Sequence, residues 1–194
     1  MTDGAQTGAN VSIALLHYPV YDKNRQVVAT AVTNLDIHDI ARAAKTFGLF
    51  RYYVVTPVAE QRELAERIGR HWREGWGATY NPKRRAALEL MRVLPTLDDA
   101  LADLEEEFGR PVKLVVTGAL GRPNSISSAE LAQQLKEPAQ SYLLLFGTGW
   151  GLTEEVFARA DLVLEPIRGP GDYNHLSVRS AAAIVLDRLL GVRR

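Results

Sequence analysis

The sequence predicts an α/β domain in which a mostly parallel sheet carries helices on both faces. Short aliphatic runs bounded by Gly or Pro alternate with amphipathic segments, which is typical of buried parallel strands connected by helices. Two runs in the C-terminal half, Tyr142–Phe146 and Leu162–Ile167, are the clearest strands, and each leads through a glycine-containing loop into a helix. This alternation favours strand–helix–strand units.

The first 56 residues contain strands and one well-marked helix. Val11–Tyr18 and Arg51–Thr56 read as strands, and Val27–Val32 is a further short apolar run. Asp36 is the predicted N-cap of a helix over Ile37–Phe47, because its carboxylate can accept the unpaired N–H groups of the first helical turn.

The rest of the chain continues the alternation. Thr96 is expected to cap its helix, and Pro82 stands at a permitted first-turn position. The predicted helices are Ala59–Glu74, Pro82–Val93, Leu97–Phe108, Ser127–Leu135 and Leu176–Leu190, and Pro111–Thr117 is a strand.

Composition limits the class of protein. A chain of 194 residues with 46% apolar and 24% charged residues suits one domain, which we place at residues 11–194 after a disordered N-terminal tail at residues 1–10. The absence of Cys excludes disulfides and thiolate metal sites and fits the cytoplasm. We see no signal peptide and no apolar run of membrane-spanning length, so no membrane partner is expected. A formal net charge of zero argues against a strongly basic nucleic-acid binder, although a local basic patch is compatible with it.

Three loops are expected at the carboxyl ends of strands, where open α/β sheets bind ligands. They are Thr117–Ala119, Phe146–Leu152 and Pro166–Leu176. The second loop contains GTGWG, which is neither a phosphate P-loop nor GxGxxG, so an ATP or nicotinamide site is disfavoured. A dinucleotide-binding oxidoreductase would also need an early GxGxxG followed by an acidic residue, and the sequence has no such segment.

Two C-terminal segments carry a resemblance. LLFGTGWGLTEE and LEPIRGPGDYNHLSVRSAAAIVLDRLL resemble the SPOUT (SpoU–TrmD) superfamily of S-adenosylmethionine (SAM)-dependent RNA methyltransferases, and more narrowly its bacterial family found alone or fused to tRNA (guanine-N1)-methyltransferase. The resemblance implies a C-terminal trefoil knot (the α/β knot), in which backbone groups of the three loops hold SAM, with S-adenosylhomocysteine as the product. No metal is expected.

The resemblance also assigns cofactor-binding residues in the three loops. They are Thr117, Gly118, Phe146, Gly147, Gly149, Trp150, Gly151, Leu164, Pro166, Ile167, Gly169, Tyr173, His175 and Leu176. The alternative for the glycines is that they only form tight turns. Trp150 either lines the pocket or is a core aromatic, and Asp172 either stabilises the sulfonium or caps its own turn.

Catalytic candidates come from the first helix. TNLDIHDIARAAKTFG resembles the first motif of SpoU-type enzymes, whose Arg contacts RNA and takes part in catalysis. The match places that role on Arg42, with Asn34 and Asp36 in the preceding turn. Asp36 stands where the motif has Asn, and His38 where it has Gly. His38 is either a general base, with an ordinary pKa near 6.5, or a surface histidine.

A third region interleaves cations with aromatic side chains. Cations neutralise phosphates and exposed aromatics stack on unpaired bases, so this stretch is either an RNA-binding surface or a solvated helix face. Within it, residues 73–78 are expected to form a mobile loop. The region comprises Arg67, Arg70, His71, Trp72, Arg73, Trp76, Tyr80, Lys83, Arg84 and Arg85.

We therefore predict a SAM-dependent RNA methyltransferase that acts on a nucleotide of tRNA or rRNA. The resemblance implies a homodimer, in which the apolar face of the last helix is an interface rather than core. The alternative is a catalytically silent SAM-binding partner or regulatory module for a tRNA methyltransferase.

Overall fold

A parallel six-stranded sheet is the centre of the structure, a computed structural model that describes residues 10–192. The strands are β1 (Val11–Leu16), β2 (Val20–Tyr21), β3 (Val27–Val28), β4 (Tyr52–Val55), β5 (Met91–Leu94), β6 (Val112–Val116), β7 (Ser141–Gly147) and β8 (Leu162–Val163). The sheet has the order β5-β4-β1-β7-β6-β8 with every pair parallel, and β2 and β3 form a separate antiparallel pair.

Helices cover both faces of the sheet, as predicted. They are α1 (Asn34–Thr46), α2 (Ala59–Arg73), α3 (Trp76–Tyr80), α4 (Pro82–Leu88), α5 (Leu97–Phe108), α6 (Ser128–Gln134), α7 (Glu154–Ala158) and α8 (Val178–Leu190). Successive strand residues point to opposite faces. Thus Ile13 and Leu15 face a core built with α1, α2, α4, α6 and α8, whereas Ala14 and Leu16 face one built with α5 and α7. No helix among residues 10–192 is long and apolar enough to cross a membrane.

The strand register brings the carboxyl ends of four strands to one edge. Leu16 of β1 lies opposite Gly147 of β7, and Val116 of β6 lies opposite Leu145 of β7 and Val163 of β8. The loops that follow β6, β7 and β8 therefore leave the sheet side by side.

Two predicted boundaries are wrong in the first half. Helix Pro82–Val93 ends at Leu88, and Met91–Leu94 instead extends the sheet beside β4. A short apolar run suits a strand and a buried helix equally well, so its period cannot distinguish them. The run Val27–Val32 pairs only through Val27–Val28, because the N–H of Thr30 donates to the carbonyl of His17 and that of Val32 to the side chain of Gln61.

The cap of α1 is also different from the prediction. Thr33 is the N-cap, and its hydroxyl accepts the N–H of Asp36 while donating to the Asp36 carboxylate at 2.6 Å. Asp36 therefore occupies the third helical position, and its carboxylate accepts from the cap hydroxyl. Thr96 caps α5, as predicted, and there the Asp99 carboxylate also accepts the backbone N–H of Thr96, which completes a capping box.

The expected mobile loop at residues 73–78 is largely helical. Trp76–Tyr80 forms α3, which packs against α2 because Gly77 has no side chain: a Cβ there would lie 2.7 Å from the Trp72 ring.

At the N-terminus, the Asn10 side chain donates to the carbonyls of Glu137 and Gln140. Asn10 is thus fixed and not part of a tail, and residues 1–9 lie outside the described residues.

The apolar face of α8 belongs to the core of this chain. Ala182, Val185, Leu186 and Leu189 are buried against the sheet and against α1 and α6, so the expectation that this face is an interface is wrong.

Replacing Leu186 tests that assignment. We expect Leu186→Ala to lower the free energy of unfolding by about 2–5 kcal/mol, because it leaves a cavity in the core, without changing the oligomeric state. Leu120→Ala, at a side chain that is 76% exposed, is the matched control and should cost less than about 0.5 kcal/mol. Denaturant titration and sedimentation measure both quantities. A change of oligomeric state with little loss of stability would contradict the core assignment.

A buried histidine lies at the carboxyl end of β1. His17 is fully buried, and its Nδ1 lies 3.0 Å from Oγ1 of Thr30, whose hydroxyl also pairs with that of Thr148. Burial lowers the pKa of His17 from 6.5 to about 4, and the Asp36 carboxylate offsets only part of that shift. The neutral imidazole is therefore part of the folded core at neutral pH.

This burial predicts acid sensitivity. In the unfolded chain His17 is protonated below about pH 6.5, whereas in the folded chain it stays neutral down to about pH 4. The free energy of unfolding therefore decreases as pH falls through this window. The contribution lost is up to about 3 kcal/mol. We expect His17→Gln to flatten the pH dependence of the unfolding free energy between pH 6.5 and 4, whereas His71→Gln, at an exposed histidine, should not. Parallel curves for wild type and His17→Gln would refute the effect.

Candidate functional site

Three loops form the candidate site at the carboxyl edge of the sheet. We call them loop 6 (residues 117–126, after β6), loop 7 (residues 148–152, after β7) and loop 8 (residues 164–176, after β8). The Asn174 side chain of loop 8 donates to the carbonyl of Ala119 in loop 6 at 2.8 Å. Arg122 of loop 6 donates to both carboxylate oxygens of Glu154, just after loop 7, at 2.8 and 2.6 Å. Side chains thus connect all three loops.

Loop 7 is shaped by glycines and braced by β2. Gly149 and Gly151 have φ values of +58° and +98°, a region that other residues rarely adopt. The N–H of Trp150 donates to the carbonyl of Tyr21, and the N–H of Tyr21 donates to the carbonyl of Gly151, both at 2.9 Å. A Cβ on Gly149 would lie 2.9 Å from the same Tyr21 carbonyl, so this close approach needs glycine.

Unpaired backbone donors remain in the outer loops. Within residues 10–192, no protein acceptor binds the N–H of Gly118 in loop 6 or of Ile167 in loop 8. Both loops follow neighbouring strands, so these donors are available to a ligand at the same edge. A bound molecule with hydrogen-bond acceptors would satisfy them.

Large apolar side chains are exposed around these loops. Trp150 is 65% exposed, Tyr173 is 80% exposed, and Leu120 and Leu176 are exposed as well. The reading of Trp150 as a core aromatic is therefore wrong. Exposed apolar side chains beside free backbone donors are a surface that suits a flat, partly apolar ligand.

The other cofactor candidates divide into surface and supporting residues. Gly169, His175 and Leu176 are exposed, and the His175 ring approaches the Tyr173 ring at 6.4 Å between centroids. Phe146 near the end of β7, and Leu164 and Pro166 at the start of loop 8, are buried. The Thr117 hydroxyl donates to the Leu145 carbonyl of β7, so this hydrogen bond ties the start of loop 6 to the sheet. Gly147 is needed for packing inside the loop, since a Cβ there would lie 2.7 Å from Cγ of Leu152.

Asp172 lies exposed in loop 8. Within the part of the chain that the structure describes, its carboxylate makes neither a hydrogen bond nor an ion pair. The turn-capping role weighed for Asp172 is therefore not observed, and the carboxylate is free to interact with a positively charged ligand.

Asp36 lies at the end of α1 nearest to loop 8. Its carboxylate is buried, accepts from Thr33, and pairs with Arg179 at 3.3 Å in the first turn of α8, directly after loop 8. Arg179 also pairs with Asp39 at 3.6 Å. The sequence had no signal for Arg179, because an ion pair between positions this far apart depends on the packing of α1 against α8.

His38 and Arg42 point to another side of α1. The His38 ring meets the Trp72 ring edge-on at 5.4 Å, and Arg42 lines a groove between α1 and α4. Burial lowers the pKa of His38, and the positive charges of Arg84 and Arg42 lower it further against the opposing effect of Asp39. Because α1 rises 1.5 Å per residue, Arg42 lies about 9 Å along the helix axis from Asp36. Within one chain the structure does not bring Arg42 or His38 to the three loops.

The groove beside Arg42 contains part of the predicted cation–aromatic stretch. Lys83 and Arg84 of α4 face Arg42 and Lys45 of α1, and the Arg84 guanidinium lies over the Trp72 ring at 4.4 Å from its centroid. Trp76 and Tyr80 stack on each other in the open at 4.7 Å.

Comparison with known proteins agrees with this architecture. The family model for SAM-dependent RNA methyltransferases matches residues 10–191. A tRNA (guanine-N(1)-)-methyltransferase of Oleidesulfovibrio alaskensis is 45% identical over 190 residues, which cover 98% of this chain and 44% of that protein. An uncharacterized protein of Aquifex aeolicus is 42% identical, with 95% of this chain and 90% of that protein covered.

A solved structure shares the fold. The SpoU methyltransferase AviRb from Streptomyces viridochromogenes, in complex with the cofactor AdoMet, superimposes with a TM-score of 0.59 at 17% identity, covering 92% of this chain and 56% of that one. The chain spans less than half the length of the O. alaskensis relative. The family match, by contrast, extends from the first strand to the end of the last helix, and the chain therefore belongs to the family of SAM-dependent RNA methyltransferases.

Proposed function

We propose that this chain transfers a methyl group from SAM to a nucleotide of tRNA or rRNA, and that loops 6, 7 and 8 bind SAM. The observation that carries the proposal is the convergence of these three loops at adjacent strand ends, with unpaired N–H groups at Gly118 and Ile167, in a chain of this family. Membership in the family supplies the methyl donor and the class of acceptor. We place the protein in the cytoplasm, where its RNA would be found.

The residues of the three loops fit SAM. The free N–H groups can donate to adenine nitrogens or to the methionine carboxylate, and the exposed side chains of Leu120, Trp150 and Leu176 can cover the adenine ring. The unpaired Asp172 carboxylate can stabilise a positive sulfonium. Bound SAM would supply an activated methyl group to a nucleophilic nitrogen or oxygen of the RNA.

The chain must also align the RNA nucleophile and accept its proton. His38 can act as the acceptor, because its lowered pKa keeps the imidazole neutral near pH 7. Arg42 can hold RNA through its exposed guanidinium. Both lie away from the loops of their own chain. We therefore propose a homodimer in which α1 of one protomer faces the three loops of its partner. The trefoil knot that the family implies is part of the same proposal.

A second candidate is a SAM-binding module that serves a tRNA methyltransferase without its own activity. It is favoured by the O. alaskensis relative, of which this chain spans 44%. The A. aeolicus relative, covered over 90% of its length, shows that a chain of nearly this extent also occurs by itself.

Titration and methyl transfer separate the two candidates. We expect calorimetry to show micromolar binding of SAM and S-adenosylhomocysteine but not of ATP or NADH. Methyl-labelled SAM with unmodified tRNA or rRNA transcripts should then label RNA. SAM binding without labelling of any transcript would favour the silent module, and absence of SAM binding would contradict both.

A substitution at Gly169 tests whether loop 8 binds SAM. A side chain there meets no atom within 4 Å, so Gly169→Val should fold normally yet obstruct the ligand's approach and weaken SAM binding by roughly tenfold or more. Unchanged thermal stability without SAM is the control. Gly147→Val is less informative, because its clash with Leu152 would disturb loop 7 itself. Wild-type affinity in Gly169→Val would place the ligand elsewhere.

Arg42 should separate binding from chemistry. Because the role proposed for Arg42 is to hold RNA and not SAM, Arg42→Ala is expected to leave SAM affinity within about twofold while reducing methyl transfer by at least about 100-fold. Calorimetry and single-turnover labelling measure the two effects. Equal losses of SAM affinity and of transfer would exclude the role given to Arg42.

A further inference from the structure

A groove between α1 and α4 concentrates positive charge in a chain that has no net charge. We call it the α1–α4 groove; its volume is about 360 Å³. Four of its seven lining residues are cations and none is acidic. The lining residues are Arg42, Lys45, Thr46, Asn81, Lys83, Arg84 and Ala87. Asp39 on the rim lies 3.8 Å from Arg42 but also pairs with Arg179, so the groove keeps a strong excess of positive charge.

Three of the four groove cations, Lys45, Lys83 and Arg84, make no ion pair among the described residues. Arg84 lies over the Trp72 ring at 4.4 Å, and its Nε is buried with no acceptor among the described residues. Its backbone N–H donates to the Asn81 side chain, which fixes the start of α4. Lys45 and Lys83 make no ion pair within residues 10–192. The exposed Lys45 and Lys83 ammonium groups therefore remain available to an external anion.

Two stacked aromatics continue the surface beyond the groove. Trp76 and Tyr80 of α3 are 69% and 68% exposed, and their rings are nearly parallel, at 20°. Tyr80 immediately precedes Asn81, which lines the groove. Exposed aromatic faces next to a basic groove are the combination that binds unpaired nucleotides, since cations hold the backbone and the rings stack on bases.

The charge pattern identifies the occupant. Unpaired cations favour an anionic ligand, and the exposed, nearly parallel rings of Trp76 and Tyr80 offer flat faces to unpaired bases. A single nucleic-acid strand satisfies both features at once. We propose that the α1–α4 groove and the Trp76–Tyr80 pair bind a single-stranded stretch of the RNA substrate, with phosphates in the groove and a base on the aromatic pair. This inference rests on the proposed function, which supplies RNA as the ligand.

Direct RNA binding without SAM tests the inference. The probes are a short fluorescent single-stranded RNA of mixed sequence and the duplex of the same sequence, titrated at several salt concentrations. Lys45→Ala/Lys83→Ala should weaken single-strand binding about tenfold and reduce the magnitude of the salt slope by about 1.4, since each single-strand phosphate contact contributes about 0.7. The matched control is Lys23→Ala/Lys136→Ala, at two exposed lysines outside the groove, and it should retain most of the affinity and slope.

The aromatic pair has a separate signature. Trp76→Ala/Tyr80→Ala should weaken single-strand binding about tenfold with an unchanged salt slope and little effect on the duplex, because stacking carries no counterion release. Equal loss in the lysine control, no loss in either groove variant, or failure of the wild type to bind RNA would overturn the inference. Conversion of a dimer to a monomer by Trp76→Ala/Tyr80→Ala in sedimentation would also overturn it, by showing that a second copy covers the pair.

The experiments distinguish failure of the proposed RNA-binding groove from failure of the proposed methyltransferase function. A chain that binds RNA through the groove but does not bind SAM would remove the methyltransferase proposal and leave the groove standing. A chain that binds SAM and methylates RNA, but whose RNA affinity is insensitive to both variants, would remove the groove alone.

Discussion

The parallel pairing of β7 on both of its edges is the constraint on which the candidate site depends. β7 lies between β1 and β6, and residues 141–146 are all buried. Because parallel strands in register end at one edge, this pairing sets the starting points of loops 6 and 7, and the β6–β8 pair adds loop 8. The points at which these loops leave the sheet therefore follow from strand register. A slip of one residue would turn every side chain of β7 to the opposite face.

Sheet register alone does not fix the path of the loops. Loop 7 keeps its two left-handed glycines because β2 binds it in both directions through Tyr21. Arg122 connects loop 6 to α7, because its guanidinium donates to Glu154 and also lies over the Phe157 ring at 3.6 Å from the ring centroid. The first connector of the chain thus holds a loop more than a hundred residues away. A ligand would then meet a surface that is largely preorganised, which reduces the entropic cost of binding.

The sequence could predict the features that local chemistry determines. Aliphatic runs, Thr96 as a helix cap and glycines at strand ends have causes within a few residues, and those predictions of β1, β7, α5 and the three loops are confirmed. β5 was missed because Met91–Leu94 becomes a strand only through pairing with β4. The contact of Arg179 with Asp36, the role of Tyr21 and the exposure of Trp150 arise from tertiary packing, which no local pattern records. The cation–aromatic composition of the middle region was visible, but only the packing of α4 against α1 selects Lys83 and Arg84 as the residues that face Arg42.

Helix α1 links the two surfaces. Its first turn is tied to α8 through Asp36 and Arg179, beside loop 8, whereas Arg42 and Lys45 in its second half line the α1–α4 groove. The apolar residues Ile37, Ile40 and Ala44 anchor the helix in the core along its length, so the two ends cannot move independently. RNA bound in the α1–α4 groove, as proposed, would consequently be held at a fixed position relative to the loops of that protomer. In the proposed homodimer the same rigid helix would position the RNA against the partner's loops as well. Alignment of the nucleophile would then depend on how the two protomers dock, and not on any rearrangement inside either one.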